Sequence, residues 1–419
     1  MIRTRTKVVL DAVAGRTLVF FLNLAARVLG RILSIDHALT RPPKTIVVCK
    51  YLGMGSIIQA TPLLQTLRKN FPDARLVFVT SQANRGLMKQ VAAVHEVLTV
   101  NDSGLLPLAS SSWKLLRRLW KLRPDLYIDL ETYSYYSTAI ATMSCARNRI
   151  GFYRVERNIR MGVYTHMMFF NARAPIAQSY LQMARLVGCR EIVAQLSPFR
   201  VDEADLASMR RKLERQVGES FEPFVVINPN ASDLRIERRW PSERFIALIR
   251  SLSQRFPSHR FFLIGSVSEA AYVGEIYRRL ELPNEDQVIN TAGRLSLGEL
   301  FALISRSELV VTNDTGPMHI AFSLGRPTVS LFGPASPSQY GDNPHAFGIY
   351  KNLYCSPCVH DFLVPPCGGD NQCMKQITLE EVEGLCTRLL RGDRSTAPAE
   401  NLRFNRAGAD GALGVVNRL

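Results

Sequence analysis

The N-terminal segment lacks an uncharged apolar run long enough to cross a membrane. Its longest run between arginines, Thr17–Ala26, has ten residues, whereas a spanning helix needs about 20. Residues 1–44 also hold eight basic residues against two acidic ones. We therefore expect residues 1–43 to form a basic amphipathic segment whose helix lies on a membrane surface. A helix packed onto the protein's own body is the alternative.

Acidic residues are scarce beside basic ones. The chain has 52 Lys and Arg against 36 Asp and Glu, a formal net charge of +16. Such an excess indicates an anionic partner, such as nucleic acid, phosphorylated sugar or acidic lipid, and solubility alone is the other explanation. The basic residues are scattered, and aromatic residues do not interleave with them as a base-stacking motif would require. We therefore expect no nucleic-acid partner.

A cleavable secretory signal is also not evident, so we expect a reduced, cytoplasmic setting and no disulfide framework. Of the 419 residues, 47% are hydrophobic and 21% are charged, which is typical of a globular protein. The length is too great for one ordinary core and suits two domains.

The first half alternates between strand and helix patterns. Ile46–Cys49 predicts a strand, a glycine-bearing turn follows, and Ile57–Asn70 carries apolar residues at helical spacing. Leu76–Thr80 predicts the next strand, which completes a βαβ unit. Similar segments follow, so we predict a Rossmann-like domain over residues 44–205.

The same alternation restarts in the second half, with FVVINPN, RFFLIGS, ELVVTND and PTVSLFG as strands. We predict a second Rossmann-like domain over residues 206–392. Two consecutive doubly wound α/β domains face each other across a central cleft, with ligands at the carboxyl ends of the strands. The tail, residues 393–419, has no sustained period, and we expect it to be disordered or loosely docked.

One stretch, VVTNDTGPMHIAFSLG, places chemistry where a strand meets a helix. The strand over residues 308–313 delivers Asp314 and Thr315 to the sheet edge, where Thr315 can cap the next helix. Gly316 lets a ligand approach the backbone, and the helix N-terminus suits a pyrophosphate. Asp314 and His319 would flank that site. A capped helix start with a satisfied histidine explains the same residues.

Two further residues stand at strand ends of the same predicted domain. Arg238 precedes the Trp-Pro pair of ERRWPSERF, and a guanidinium there can neutralise phosphates. Glu269 follows the strand that ends in LIGS, where a carboxylate can hold a ribose. Together with Asp314 these residues line three strand ends.

The segments ERRWPSERF, AGRLSLGEL and VVTNDTGPMHIAFSLGRPTVSLFGP resemble glycosyltransferase family 9, the ADP-heptose heptosyltransferases of bacterial lipopolysaccharide assembly. The resemblance runs from about residue 44 to residue 390. It implies a GT-B fold, with a nucleotide-sugar donor of the ADP-heptose kind in the C-terminal domain and a glycolipid or other anionic acceptor in the N-terminal one. It also implies an inverting transfer that needs no metal, at the inner face of the bacterial inner membrane.

The resemblance carries over to individual residues on the donor side. The Asp-Thr-Gly stretch and its histidine match the site for the donor pyrophosphate and sugar, the arginine before Trp-Pro would pair with the phosphates, and the acid after LIGS matches the one associated with the ribose. The implied donor-binding residues are Arg238, Glu269, Asp314, Thr315, Gly316 and His319.

The chain departs from the family on the acceptor side. The family commonly reads Leu-Gly-Asp in the first turn, with the Asp as general base, whereas here the turn is LGMGS and Ser56 occupies the position. A serine is far too weak a base at neutral pH. Asp129 or Glu131 could serve instead, the acceptor could need little help, or the protein could be a poor transferase. Gly53, Gly55 and Ser56 could still bind the acceptor through backbone amides.

Four of the eight cysteines lie within nineteen residues, on a loop rich in proline and glycine. Their thiolates could surround a tetrahedral Zn or Fe ion with a structural role, and family resemblance implies structural iron in some members. Free thiols or one regulatory disulfide are the alternatives, and His360 is expected to be a solvated loop residue. The candidate ligands are Cys355, Cys358, Cys367 and Cys373.

The leading hypothesis is therefore a membrane-apposed glycosyltransferase that moves a heptose or related sugar. Because Ser56 replaces the expected acid, a degenerate transferase that acts as a sugar-nucleotide sensor or scaffold is a second hypothesis. A heptosyltransferase directed at protein acceptors is a third.

Overall fold

Two parallel sheets organise the chain. The computed structural model describes residues 11–154, 159–172, 174–196, 199–218, 221–231, 235–282, 284–340, 343–359, 362 and 365–394. The strands are β1 (Thr45–Cys49), β2 (Arg75–Ser81), β3 (Glu96–Val100), β4 (Leu126–Asp129), β5 (Asn148–Tyr153), β6 (His166–Phe169), β7 (Phe224–Asn228), β8 (Arg260–Leu263), β9 (Val288–Asn290), β10 (Leu309–Asn313), β11 (Thr328–Phe332) and β12 (Ala346–Tyr350).

Helices cover the faces of both sheets. A π-helical turn, Asp11–Gly15, leads into the first of them. The α-helices are α1 (Arg16–Leu33), α2 (Met54–Gln59), α3 (Thr61–Asn70), α4 (Arg85–Lys89), α5 (Leu105–Leu122), α6 (Tyr135–Met143), α7 (Ile176–Leu186), α8 (Glu203–Val217), α9 (Ser242–Arg255), α10 (Ala270–Arg278), α11 (Leu297–Arg306), α12 (Gly316–Ser323), α13 (Gln372–Lys375) and α14 (Leu379–Leu390).

The strand order explains where ligands bind. The first sheet runs β3-β2-β1-β4-β5-β6 and the second runs β12-β11-β10-β7-β8-β9. All strands in each sheet are parallel, but the order in which the chain adds them reverses between two neighbouring strands. These are β1 and β4 in the first sheet and β7 and β10 in the second. The loops after those strands separate there and leave a crevice. The two predicted Rossmann-like, doubly wound units are therefore confirmed.

The central strands are apolar because helices bury both of their faces. All five residues of β7, of β10 and of β11 are buried. The helix α8 belongs with the second sheet, since Ser208 Oγ and Lys212 Nζ each donate to the Glu299 carboxylate of α11 at 2.7 Å. The boundary predicted at residue 205 thus falls near the start of this helix, and the precise domain limits remain predictions.

The helix predicted over Ile57–Asn70 is in fact two helices. It starts earlier, as α2, and breaks before α3 begins. Pro62 causes the break, because it has no N–H to donate to the carbonyl of Ile58. The hydroxyl of Thr61 donates to that carbonyl instead, at 2.7 Å. The break redirects the chain just beyond the turn that faces the second sheet.

Three short strands were not predicted, namely β6, β9 and β12. Two of them, β6 and β9, have only four and three residues, and all three lie at the edges of their sheets. Edge strands are half-covered, so their sequences lack the continuous apolar run that marks a central strand. Residues 395–419 of the predicted tail lie outside the described residues.

The N-terminal helix packs onto the first sheet through one side only. Val19 is buried there, and Asn23 Nδ2 donates to the carbonyls of Ile159 and Met161 at 2.5 and 2.6 Å. The Asp11 carboxylate accepts from the backbone N–H groups of Tyr135 and Tyr136 at the start of α6. The segment Asp11–Leu33 is, by length and composition alone, apolar enough to cross a membrane.

The two halves meet where α2 contacts α12. A Cβ atom built on Gly55 would lie 2.1 Å from the imidazole Cδ2 of His319, so only glycine permits this approach. Met54 lies against Gly316 in the same contact. The turn after β1 is therefore held directly against the helix that follows β10.

We predict that Gly55→Ala destabilises the protein by about 1–3 kcal/mol, since the His319 ring or the backbone must move. Chemical denaturation checks this. Gly30→Ala is the matched control, because no atom lies within 4 Å of its added Cβ; in a helix it should be neutral or stabilising by up to about 1 kcal/mol. Equal unfolding midpoints for Gly55→Ala and the wild type would contradict the close contact.

Candidate functional site

The donor-side turn begins where β10 ends. Thr315 occupies the N-cap position of α12, but its side chain makes no capping hydrogen bond. Instead Asn228 Nδ2 donates to Thr315 Oγ1 at 2.8 Å, and that hydroxyl lies 3.3 Å from the Asn313 carbonyl. The predicted capping role of Thr315 is therefore wrong. No side chain caps this turn, but Pro317 has no N–H and the Met318 N–H donates to the Thr315 carbonyl at 3.2 Å. The N–H of Gly316 is therefore the first-turn donor that remains available to an anion.

Two asparagines that sequence reasoning missed hold this turn in place. Besides Thr315, Asn228 Nδ2 donates to Thr312 Oγ1 at 3.0 Å. Asn230 Nδ2 donates to the carbonyl of Ile264 at 2.8 Å, which ties the loop after β7 to the end of β8. The signal was present in FVVINPN, where two polar amides follow an apolar run at a strand end.

Asp314 is the buried charge of the donor side. Its side chain is 2% exposed, and Arg238 Nη1 lies 3.3 Å from Oδ2. The same nitrogen donates to the Asp314 carbonyl at 3.2 Å. Tyr340 is the other polar neighbour of this carboxylate, and neither carboxylate oxygen meets the geometry of a hydrogen bond with a described residue. Buried acceptors are almost always paired, so this carboxylate is suited to accept hydrogen bonds from the hydroxyl groups of a bound sugar.

His319 is buried between the two halves. Its ring centroid lies 4.7 Å from that of Tyr340, and its Nδ1 lies 3.5 Å from Gln59 Nε2 of α2. Burial lowers the pKa of His319 to about 4, an effect that Asp314 opposes and Arg238 reinforces. The imidazole is therefore neutral at physiological pH. It offers a hydrogen-bonding ring rather than a positive charge.

Glu269 lies at the same sheet edge but is engaged by its own turn. Its Oε2 accepts from the backbone N–H and from the hydroxyl of Ser266, both at 2.8 Å. The side chain is half-buried, beyond the end of β8. Sequence reasoning placed this acid on the correct edge and did not foresee its capping role.

Glu131 organises the acceptor-side turn. Its Oε1 accepts from the backbone N–H groups of Tyr51 and Leu52 at 2.8 and 2.9 Å, and its Oε2 accepts from Lys50 Nζ at 2.7 Å. Although burial lowers it, the pKa of Lys50 is raised above its usual value by the charge of Glu131. The carboxylate thus fixes the three residues that lead into Gly53.

Asp129 lies deeper, with no exposed surface. Its Oδ1 accepts from Ser137 Oγ at 2.7 Å and from the Glu131 N–H at 2.9 Å. Its Oδ2 accepts from the Tyr164 hydroxyl and lies 3.8 Å from Arg160 Nη2. Burial raises the pKa of Asp129, and these partners oppose that rise. Its oxygens are committed to the fold.

The turn itself is built for close approach. Gly53 has φ of +83°, a left-handed conformation that favours glycine. Ser56 follows in the first turn of α2 and is half-buried. Because Gly55 contacts His319, the structure brings the predicted acceptor residues against the predicted donor helix. Asp129 and Glu131, by contrast, lie beneath the turn.

The cysteine loop gives the metal prediction no support. Cys358 and Cys373 are buried, whereas Cys355 and Cys367 are exposed. Cys373 Sγ packs over Gly333, at the end of β11. Within the described ranges, no group of three or more His, Cys, Asp or Glu side chains is arranged to hold a metal ion. The prediction for His360 lies outside the described residues.

Known proteins share this fold and this sequence pattern. Glycosyltransferase family 9 (heptosyltransferase) matches residues 112–363. Lipopolysaccharide heptosyltransferase 1 of Campylobacter coli is 24% identical over 307 residues, which cover 70% of this chain and 84% of that protein. ADP-heptose LPS heptosyltransferase II of E. coli superposes with a TM-score of 0.66 at 22% identity, over 84% of this chain and 99% of that one. A family 9 glycosyltransferase of Veillonella parvula has a TM-score of 0.63 at 23% identity, over 73% and 85%.

The two doubly wound sheets and these structural neighbours define the GT-B class of glycosyltransferases. Within that class, the chain belongs to glycosyltransferase family 9, the heptosyltransferase family. The resemblance of the Asp-Thr-Gly and Trp-Pro segments to this family is thereby confirmed, and the protein is an enzyme of the glycosyltransferase type.

We predict that the buried His319 makes the protein less stable as the pH falls. The unfolded chain binds a proton at His319 near pH 6.5, whereas the folded chain binds it only near pH 4. Stability from this group is therefore lost between those values, by at most about 3 kcal/mol. Denaturation of His319→Gln should show a weaker pH dependence in that window. An identical dependence in the variant and the wild type would contradict the buried, neutral imidazole.

Proposed function

We propose that the enzyme transfers a heptose or related sugar from a nucleotide-sugar donor of the ADP-heptose kind to a lipopolysaccharide core or similar glycolipid, with inversion at the sugar carbon. The observation that carries the proposal is the uncapped first turn of α12, placed directly against the Gly53–Ser56 turn. Donor and acceptor would meet at that contact. The relatives whose names specify lipopolysaccharide or ADP-heptose support the choice of substrates.

The donor half of the chemistry follows from the charges around the first turn of α12. As the glycosidic bond breaks, negative charge develops on the leaving nucleotide diphosphate. The N–H of Gly316, the dipole of α12 and the Arg238 guanidinium can stabilise that charge, as fixed dipoles and cations do in other sites. Asp314 would accept hydrogen bonds from hydroxyl groups of the sugar. No step in this scheme needs a metal ion.

On the acceptor side, the two buried carboxylates, Asp129 and Glu131, have positioning roles in this proposal. In transfer, the acceptor hydroxyl attacks the sugar carbon as the bond from that carbon to the nucleotide diphosphate breaks, and the proton of the hydroxyl passes to water in the cleft. Glu131 holds the turn through three hydrogen bonds, and Asp129 is enclosed by Ser137, Tyr164 and Arg160. We infer that neither of them takes that proton, because all four of their oxygens already accept hydrogen bonds from the chain. Ser56 and the backbone of its turn would orient the acceptor.

The setting proposed for this reaction is the inner face of the bacterial inner membrane, where a glycolipid acceptor would be anchored. The net charge of +16 fits an acidic leaflet and a phosphorylated acceptor. The exposed apolar side of α1 fits the same location.

A sugar-nucleotide sensor is the second candidate, favoured by Ser56 at the position of the family's usual acid. One experiment separates the two functions. The purified protein is incubated with ADP-heptose and a phosphorylated core oligosaccharide, and ADP release and product mass are measured. Turnover that depends on the acceptor supports a transferase, whereas donor binding without turnover would identify a sensor. Stabilisation against heat by a UDP-sugar alone would contradict the proposed donor.

We predict that Asp314→Asn lowers transfer by about 10²-fold or more, since a carboxylate that binds the reacting sugar loses its charge in a buried site. Asp286→Asn is the matched control, because Asp286 is exposed on the same domain, and it should retain wild-type rates. Rates and unfolding midpoints are compared for both variants. If the folded Asp314→Asn protein kept full activity, the donor site would be wrongly placed.

We predict that Glu131→Gln retains activity within about tenfold of the wild type and keeps its pH profile. The glutamine oxygen can still accept from the two backbone N–H groups, although the ion pair with Lys50 is lost. Loss of a general base would instead cost about 10²–10⁴-fold and remove the rising limb of the profile. Such a loss in a folded variant would reverse the positioning assignment.

A further inference from the structure

The outer side of α1 is apolar and unusually exposed. Phe20, Phe21, Leu24 and Val28 all face solvent, and Ile32 is 71% exposed. Soluble proteins rarely leave such a continuous apolar stripe uncovered, and one that remains uncovered marks an interaction surface.

Polar contacts fix this helix along the protein surface. Asn23 donates to two carbonyls of the loop before β6, and Arg27 Nε donates to Asn23 Oδ1 at 2.7 Å. If α1 crossed a membrane, the hydrogen bonds of Asn23 would have to break. The hydrogen bonds from the start of α6 to the Asp11 carboxylate would have to break as well. The attachment therefore favours a helix that presents its apolar side while lying flat.

A second helix, α5, also exposes large apolar residues. Leu106 is 83% exposed and Trp113 is 56% exposed. The Trp113 ring meets Trp120 edge to face, with centroids 5.5 Å apart, and Trp120 Nε1 is held by the Met143 carbonyl at 2.7 Å. Tryptophan is the residue most typical of the boundary between lipid and water.

The two helices lie on the same side of the first sheet. Val19 of α1 and Leu115, Leu116 and Leu119 of α5 enter one apolar cluster. The helix α6 contacts both of them. Asp11, in the turn that leads into α1, accepts from the N–H of Tyr136 in α6, and the Tyr136 hydroxyl forms a hydrogen bond with Ser112 of α5. The exposed sides of α1 and α5 consequently point away from the sheet together.

The charge of α1 and α5 indicates which partner covers their exposed sides. α1 carries three arginines and α5 carries four basic residues, and neither helix has an acidic residue. A second copy of this face would bring like charges together, whereas an anionic bilayer would attract them. Lys114, Arg117 and Lys121 flank the exposed tryptophans, the pattern of an interfacial anchor.

We propose that the outer sides of α1 and α5 together form one docking face for an anionic lipid bilayer. This inference rests on the proposed function, in which the acceptor is a membrane glycolipid, and it adds the surface by which the enzyme reaches that acceptor. The apolar residues enter the interface, and the basic residues remain at the level of the lipid headgroups.

The test uses the full chain and vesicles of phosphatidylcholine, with and without phosphatidylglycerol. Co-sedimentation should show at least about tenfold stronger binding to the anionic vesicles. Phe20→Ser with Leu24→Ser removes apolar surface from α1, and Leu106→Ser with Trp113→Ser removes it from α5. Each pair should weaken binding severalfold. Tyr354→Ser is the control, since Tyr354 is fully exposed elsewhere in the chain, and it should bind as the wild type does.

Trp113 also provides a direct readout. Its emission should shift to the blue on anionic vesicles, and that part of the shift should be absent in Trp113→Phe, which keeps an apolar ring and should still bind. Unfolding midpoints confirm that every variant is folded.

Three results would overturn the proposal. Binding lost only in the α1 pair would reduce the face to one helix. Resistance to extraction by alkaline carbonate would identify a spanning helix, and a dimer abolished by either pair would identify self-association. Transfer to a water-soluble core oligosaccharide distinguishes this proposal from the proposed function. Failure of transfer in the wild type would reject the function, whereas unchanged transfer in the face variants, with binding lost, supports the face alone.

Discussion

The contact between Gly55 and His319 is the constraint on which the rest of the site depends. It joins the turn after β1 to the helix after β10, and these two strands flank the crevices of the two sheets. A side chain at residue 55 would keep the two turns apart. With glycine there, the start of α12, including the Gly316 N–H, lies next to the backbone of the turn after β1. Gln59 and Tyr340 contact the same imidazole and hold it between the halves.

The carboxylates of the site divide according to their partners. Asp129 and Glu131 accept hydrogen bonds from the chain itself and stabilise the acceptor turn. Asp314 has Arg238 and Tyr340 as polar neighbours, and neither of its oxygens meets the geometry of a hydrogen bond with a described residue. Buried groups with satisfied oxygens support a fold, whereas an unsatisfied buried carboxylate is suited to a ligand. This difference is the reason for the proposal that Asp314 binds the donor and that Asp129 and Glu131 position the acceptor.

Much of the fold could be predicted from sequence because its signals are local. The apolar runs of β1, β7 and β10 mark buried parallel strands, and the Asp-Thr-Gly turn marks a helix start. What sequence could not provide was pairing over long distances. Thr315 looked like a cap because its rival partner, Asn228, lies 87 residues away. The sequence also did not show that Glu131, a candidate base, accepts hydrogen bonds from Lys50 to Leu52, which lie about 80 residues earlier. The cysteine spacing suggested a metal, although two of the four thiols are exposed in the folded loop.

We propose that the donor binds at the first turn of α12 and that its binding also stabilises the backbone of α2, which contacts α12. Hydrogen–deuterium exchange with and without ADP tests it most directly. We expect slowed exchange in peptides that cover residues 314–320, together with slowed exchange over residues 50–57. Protection by ADP confined to other parts of the chain, with residues 314–320 unchanged, would contradict it.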